Sequence, residues 1–239
     1  MTEVKELPGE LELRLKDIRQ RLTEASAAWG KPPRIIAVSK TVPAERVNPL
    51  AELGVLDLGE NRVQELLGKL PLLDPKFRMH LIGRLQTNKV KYIINKVCLI
   101  HSLDRMELAG EISRQAVKAG CRMDVLVQVN AAGETQKGGI PPCDAVPFVR
   151  ECAKLPGISV KGLMAVMPLS QDAESLRPLF LEMRKLFDSI AREKMENVSM
   201  EELSMGMSQD YWIAAQEGAT MVRVGSALFG ARGPIATNK

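Results

Sequence analysis

Aromatic side chains are scarce in this sequence: two Trp, two Tyr and five Phe among 239 residues, 4% of the chain. That removes the stacking platforms on which single-stranded nucleic-acid binders rely. A surplus of one charge is nearly absent too, with 33 Lys+Arg against 29 Asp+Glu and a net charge of +4. So small an excess helps an anionic ligand approach but marks no nucleic-acid surface. No run of about eighteen consecutive apolar residues occurs. The opening MTEVKELPGE has neither a basic lead nor an apolar core, so neither a membrane span nor a signal peptide is expected, and a cytoplasmic location is. Four cysteines (Cys98, Cys121, Cys143 and Cys152) form no CxxC, and His80 and His101 complete no zinc pattern. Buried thiols in a reducing compartment are the expectation. No GxGxxG follows the first strand-like run and no GxxxxGK[ST] occurs, which excludes those two phosphate-binding fingerprints.

What is present is an alternation of two kinds of segment. Short apolar runs at 34–40, 55–59, 78–83, 97–103, 123–130, 158–166, 203–206 and 221–229 read as buried strands. Helical stretches such as 104–119 and 174–194 lie between them. Near-continuous apolar strands covered by helices indicate a parallel sheet. Eight strands in 239 residues fit one closed (β/α)8 barrel, an α/β fold, with residues 1–239 as a single domain. Closure is favoured over an open sheet because polar residues cluster at the ends of many strands rather than at one switch point. Ahead of the first strand, Leu11, Leu15, Ile18, Leu22 and Ala25 form the stripe of an extra amphipathic helix. It is expected beside the barrel or across its N-terminal face, ended by Pro32 and Pro33.

The strand ends supply the chemistry. Lys40 closes an apolar run, so its amine starts in the barrel mouth, where partial desolvation would lower its pKa. A neutral amine is what imine formation with an aldehyde cofactor requires, although a strand-terminal lysine is also a common surface charge. In LSMGMSQD, Ser208 and Asp210 follow the seventh strand and precede a helix through Ala214 and Ala215, an arrangement suited to an anion. In VRVGSALFG, Arg223 and Gly225 share a strand face, so an arginine points inward with Gly225 and Ser226 beyond it. Two readings stand for Arg223: an internal salt bridge with Asp57 or Glu60, or a donor facing a ring nitrogen while Ser208, Gly225 and Ser226 hold a phosphate. The eighth strand of a closed barrel neighbours the first, so Lys40 and Arg223 meet. Helix capping accounts for Ser102 or Asp104. It accounts less well for Asn61, His80, Gln86 and Lys137. His80 is open between a packed, hydrogen-bonded histidine and a mouth residue, and Lys89 has no assigned role.

The segments VSKTVP, LGENRVQE, HLIGRLQTNK, HSLDR, VNAAGETQKGG, GLMAVMP and LSMGMSQD with VRVGSALFG occur in that order. In them the chain resembles, over essentially its whole length, the pyridoxal phosphate homeostasis protein family, whose barrel is like the N-terminal domain of alanine racemase. Leu58, Met79 and Ala215 depart from common family residues in ways that look like packing variation. The resemblance implies a fold-type III barrel binding pyridoxal 5'-phosphate (PLP), with a covalent aldimine on Lys40. It implies contacts from Asn61, Ser208, Arg223, Gly225 and Ser226. Alanine racemases add a β-rich C-terminal domain carrying a catalytic tyrosine, whereas this sequence ends at Lys239 and has only Tyr92 and Tyr211. A protein that buffers or delivers PLP without turnover is therefore expected, with a small amino-acid racemase as the alternative. A nucleic-acid- or protein-binding module is the third class. Transient contact with PLP-dependent apo-enzymes and a monomer or weak homodimer are implied; nucleic acid, membrane and metal are not.

Overall fold

The computed structural model describes residues 9–134 and 138–230. Eight strands, β1 (Arg34–Val38), β2 (Asp57–Glu60), β3 (Arg78–Leu81), β4 (Leu99–Leu103), β5 (Met123–Val129), β6 (Ile158–Ala165), β7 (Val198–Met207) and β8 (Met221–Val224), close into a barrel. Every neighbouring pair is parallel, and β8 returns to β1 with Ile36 opposite Arg223. The helices are α1 (Glu10–Ala25), α2 (Ala44–Val47), α3 (Pro49–Glu52), α4 (Val63–Lys69), α5 (Met106–Lys118), α6 (Ala145–Ala153), α7 (Arg177–Arg192), α8 (Tyr211–Gln216) and α9 (Ser226–Phe229). The chain is thus the (β/α)8 barrel that the alternation of segments indicates.

The core has two layers. Between sheet and helices, α7 buries Phe180, Met183, Phe187 and Ile190 at helical spacing, and α5 does the same with Leu108, Ile112 and Ala116. Inside the barrel a smaller apolar cluster holds Ile36, Leu99, Leu126, Met164 and Met221. The N-terminal stripe does form α1, which buries Leu15, Ile18 and Leu22. It packs against α8 and α9, beside the barrel and not across its N-terminal face. There it supplies outer-ring cover next to β8, which among the described residues is followed by a four-residue helix.

Several local expectations need correction. The α1 helix stops at Ala25, where the Ser26 hydroxyl donates back to Leu22 O, well before Pro32. Neither Ser102 nor Asp104 caps α5: Arg105 stands at that position, Asp104 binds Arg105, and Ser102 Oγ is buried with no partner among the described residues. The seventh strand is longer than its apolar run. It contains Gly206 at φ 88°, where an added Cβ would lie 2.5 Å from the Ala214 Cβ, so α8 rests directly on it. The eighth ends at Val224, because the Gly225 amide leaves the ladder to donate to Ser208 Oγ. Of the cysteines only Cys152 is buried, its thiol pushed up to about 12 by burial; Cys98 and Cys143 are exposed. Among the described residues no group of side chains could hold a metal, and no helix is long and apolar enough to cross a membrane.

Candidate cofactor site

Lys40 lies two residues beyond β1, half-buried, in a turn closed by Val42 N donating to Ser39 O at 2.9 Å. Both of its neighbours are tied down. The Ser39 hydroxyl donates to Glu60 Oε1 at 2.7 Å, and Ser39 O accepts from Lys69 Nζ at 2.7 Å. The Thr41 amide donates to Glu65 Oε1, with Thr41 at φ 62°. A β-branched residue in the left-handed region costs about 1–3 kcal/mol and persists only where surrounding bonds hold it. Lys69 Nζ joins Glu60 Oε1 at 2.5 Å and Glu65 Oε1 at 3.1 Å, completing a buried network beneath Lys40. Burial raises the Glu60 pKa, with Lys69 and Ser39 opposing it.

Across the mouth, Arg223 on β8 is 4% exposed. Nη1 donates to Ser204 O at 2.8 Å and Ser204 Oγ at 2.7 Å, and Nη2 donates to Ala165 O at 2.7 Å. It bonds neither Asp57 nor Glu60, so the salt-bridge reading falls; those carboxylates are taken by His80 and Arg78, and by Lys69. Three bonds use three of the five guanidinium N–H groups and leave two for a ligand. Burial lowers the Arg223 pKa to about 10, with Asp210 opposing, so the group stays cationic at neutral pH among neutral acceptors. Asp210 itself is buried, and burial raises its pKa against the pull of the Met207 amide and Arg223.

Ser208, just past β7, accepts from the Gly225 amide at 3.1 Å and the Ala227 amide at 3.2 Å. These two N–H groups, on either side of Ser226, converge on one oxygen, the geometry an anionic oxygen acceptor requires. Asn61, half-buried after β2, is held by Gly83: a Cβ there would lie 2.3 Å from Asn61 O, so only glycine admits this approach.

These residues share one cavity of about 380 Å³ at the C-terminal mouth. Lys40, Asn61, Ser208, Arg223, Gly225 and Ser226 all line it, with Val38, Ile82, Val166 and Leu176 as apolar walls. A more open hollow of about 810 Å³ around Leu169–Ala173 and Gln209 adjoins it. His80 is not a residue of this mouth. It is 2% exposed and hydrogen-bonded inside the barrel, facing a separate pocket of about 220 Å³ at the N-terminal end. Lys89 and Gln86 line a surface groove with Arg62, Arg84 and Arg105, outside the cavity although Asn61 borders both. Lys137 lies outside the described residues. Neither Tyr92 nor Tyr211 lines the cavity.

A family model described as alanine racemase, N-terminal domain, matches residues 13–233. A pyridoxal phosphate homeostasis protein of Aquifex aeolicus is 44% identical over 223 residues, covering 92% of this chain and 97% of that protein. The chain belongs to the pyridoxal phosphate homeostasis protein family. Among solved structures, PipY of Synechococcus elongatus with PLP bound is similar at 32% identity, with a TM-score of 0.81 over 92% of this chain and 100% of that one. An alanine racemase of Clostridium difficile, at 18% identity and a TM-score of 0.72, shares the fold alone; the match covers 95% of this chain and 58% of the racemase.

Sequence reasoning missed Lys69 and Ser204. Lys69 continues the buried Val63 and Leu66 positions of α4 at three-residue spacing, which is a readable signal for an inward lysine. Ser204 shares strand parity with Gly206 and Ser208.

Proposed function

We propose that this chain binds PLP in the cavity at the C-terminal mouth and serves PLP homeostasis, holding and releasing the cofactor without turnover. One observation carries the reading: an amine (Lys40), an arginine with uncommitted donors (Arg223) and a convergent pair of amides at Ser208 line one pocket. PLP supplies an aldehyde that condenses with amines and a ring that withdraws electrons. In this reading Lys40 Nζ holds the cofactor covalently through its aldehyde carbon. Ser208, with the backbone at Gly225 and Ser226, takes the phosphate, Arg223 faces the ring nitrogen, and Asn61 borders the ring. The donor set fits such a ligand, since the cationic guanidinium keeps two N–H groups for an acceptor and the Ser208 hydroxyl, whose oxygen takes two amides, has its own proton to donate. The homeostasis role rests on the names of the relatives, and the cofactor on PipY.

The tyrosine inventory supports the absence of turnover. Racemisation needs groups on both faces of the substrate's α-carbon, and no tyrosine stands opposite Lys40 in the cavity lining. An arginine against the ring nitrogen also disfavours its protonation and weakens the electron sink. We take residues 1–239 as one cytoplasmic PLP-binding domain, monomeric or weakly dimeric, meeting PLP-dependent apo-enzymes transiently.

The test is an absorption titration with PLP, followed by borohydride reduction and peptide mass mapping. Pyridoxyl mass on Lys40 is expected; label scattered over surface lysines overturns the assignment. Incubation of the loaded protein with amino acids in heavy water should exchange no α-hydrogen, and sustained exchange would establish the racemase instead. Ser208→Ala removes the acceptor for two amides together with a hydroxyl donor. PLP affinity should fall about tenfold or more, inorganic phosphate should compete less well, and Lys40 should still be labelled at saturating PLP.

A further inference from the structure

The lumen of a (β/α)8 barrel is normally filled by branched apolar side chains. Here the apolar cluster shares it with Asp57, His80, His101, Ser204 and Arg223, each at most 5% exposed. These five form an unbroken hydrogen-bonded chain along the barrel. Asp57 Oδ1 lies 2.9 Å from His80 Nε2, and His80 Nδ1 lies 3.0 Å from His101 Nε2. His101 Nδ1 lies 3.0 Å from Ser204 Oγ, which accepts from Arg223 Nη1 at 2.7 Å. Cys98 Sγ, 3.3 Å from His80 Nε2, is a weak branch at the N-terminal end.

The two ends fix the direction of the outer bonds, and the charge of the rings fixes the rest. Arginine only donates and an ionised carboxylate only accepts. Burial works against ionisation of Asp57, but His80 and Arg78 prevail and hold its carboxyl below the usual range. His80 therefore donates from Nε2; with its ring neutral it accepts at Nδ1, and His101 donates from Nε2 in turn. Burial, with His80 and the Arg223 and Arg34 charges, holds the His101 pKa well below that of a free imidazole, so it is neutral and accepts at Nδ1. Ser204 then donates to His101 and accepts from Arg223. With both rings neutral, all four bonds are satisfied in one sense only.

We propose that Asp57, His80, His101 and Ser204 are positioning residues for Arg223, a one-way relay from the N-terminal mouth that fixes which guanidinium N–H groups remain for the cofactor ring. It rests on the reading that Arg223 meets that ring. Donation from Ser204 to His101 makes Ser204 Oγ a better acceptor, which clamps Nη1 and leaves the uncommitted donors on the cavity side. Neither histidine lines the cavity, so any response of theirs to PLP travels through Ser204 and Arg223.

The chain has only two histidines, so 15N-imidazole spectra of the whole protein are readily assigned. In the PLP-free protein the relay requires both rings to be neutral and protonated at Nε2. A proton on His101 Nδ1, or an imidazolium, would overturn the relay whatever happens with PLP. Adding PLP should shift the His101 Nδ1 resonance, and inorganic phosphate alone should not. In Ser204→Ala, Arg223 keeps the Ser204 and Ala165 carbonyls, so PLP should still label Lys40 but dissociate about tenfold faster. The shift at His101 should vanish. A shift that survives in Ser204→Ala, or none in the wild type while Lys40 is labelled, refutes the relay and leaves PLP binding intact. Failure of PLP to bind at all would fault the cofactor assignment, and the PLP-free tautomers would still decide the relay.

Discussion

Lys40→Ala is expected to abolish covalent capture of PLP, leaving no borohydride-fixed mass at residue 40 and no visible band from the bound cofactor. The cavity would still offer Arg223 and the Ser208 hydroxyl, so weak noncovalent binding should persist through the phosphate. The neighbouring lysine cannot take over. Lys69 Nζ already bonds Ser39 O, Glu60 and Glu65, which uses all three ammonium donors, and it does not line the cavity. Lys40→Arg retains the positive charge without a condensable amine, so it should lose the label as completely as alanine while binding PLP somewhat better. Peptide mapping after reduction reads both variants. Undiminished label elsewhere in the cavity would show that the nucleophile has been misplaced.

Much of this site was legible in the sequence because strand order and parity carry it. The run ending at Lys40 is β1 plus two residues, and the eighth strand pairs with the first, so two residues 183 positions apart line one cavity. Parity turned Arg223 inward, and the helix after Asp210 began where the sequence placed it. What pattern could not supply was the partner of each buried charge. Glu60 and Asp57 were candidates for Arg223 because all three are charged residues near strand ends. The barrel instead pairs Glu60 with Lys69 from α4 and Asp57 with His80 and Arg78, leaving Arg223 to carbonyls and a hydroxyl. Pairing inside a barrel depends on stagger between strands, which periodicity does not encode. Boundaries failed for a similar reason. The eighth apolar run continues to Phe229, but the Ser208 hydroxyl draws the Gly225 and Ala227 amides out of the ladder and converts its end to a helix.

Lys69→Met should be the most destabilising of these substitutions, and its cost should depend on pH. Glu60 is fully buried; its Oε1 accepts from Ser39 and Lys69, while Oε2 has no partner among the described residues. Removing the cation strands a buried carboxylate, a change that costs about 3–5 kcal/mol, a large share of the roughly 5–15 kcal/mol that holds a typical domain folded. Burial already raises the Glu60 pKa above the ordinary 4.5 of a glutamate, against Lys69 and Ser39. Without Lys69 it must rise further. A carboxyl whose folded pKa is raised contributes stability below its unfolded pKa, and that contribution is lost as pH rises through the folded value. The deficit of Lys69→Met relative to wild type should therefore be largest at neutral and alkaline pH and shrink as pH falls toward 4.5. Urea unfolding at about pH 5 and about pH 8 measures it. Adding Glu60→Gln to Lys69→Met should restore most of the loss at about pH 8, because a neutral amide needs no counter-ion. A deficit independent of pH, or one the second substitution leaves untouched, would assign the role of Lys69 to packing. The same network holds Ser39 and Thr41 on either side of Lys40, so Lys69→Met should also capture PLP more slowly, and Glu60→Gln should restore stability without fully restoring that rate.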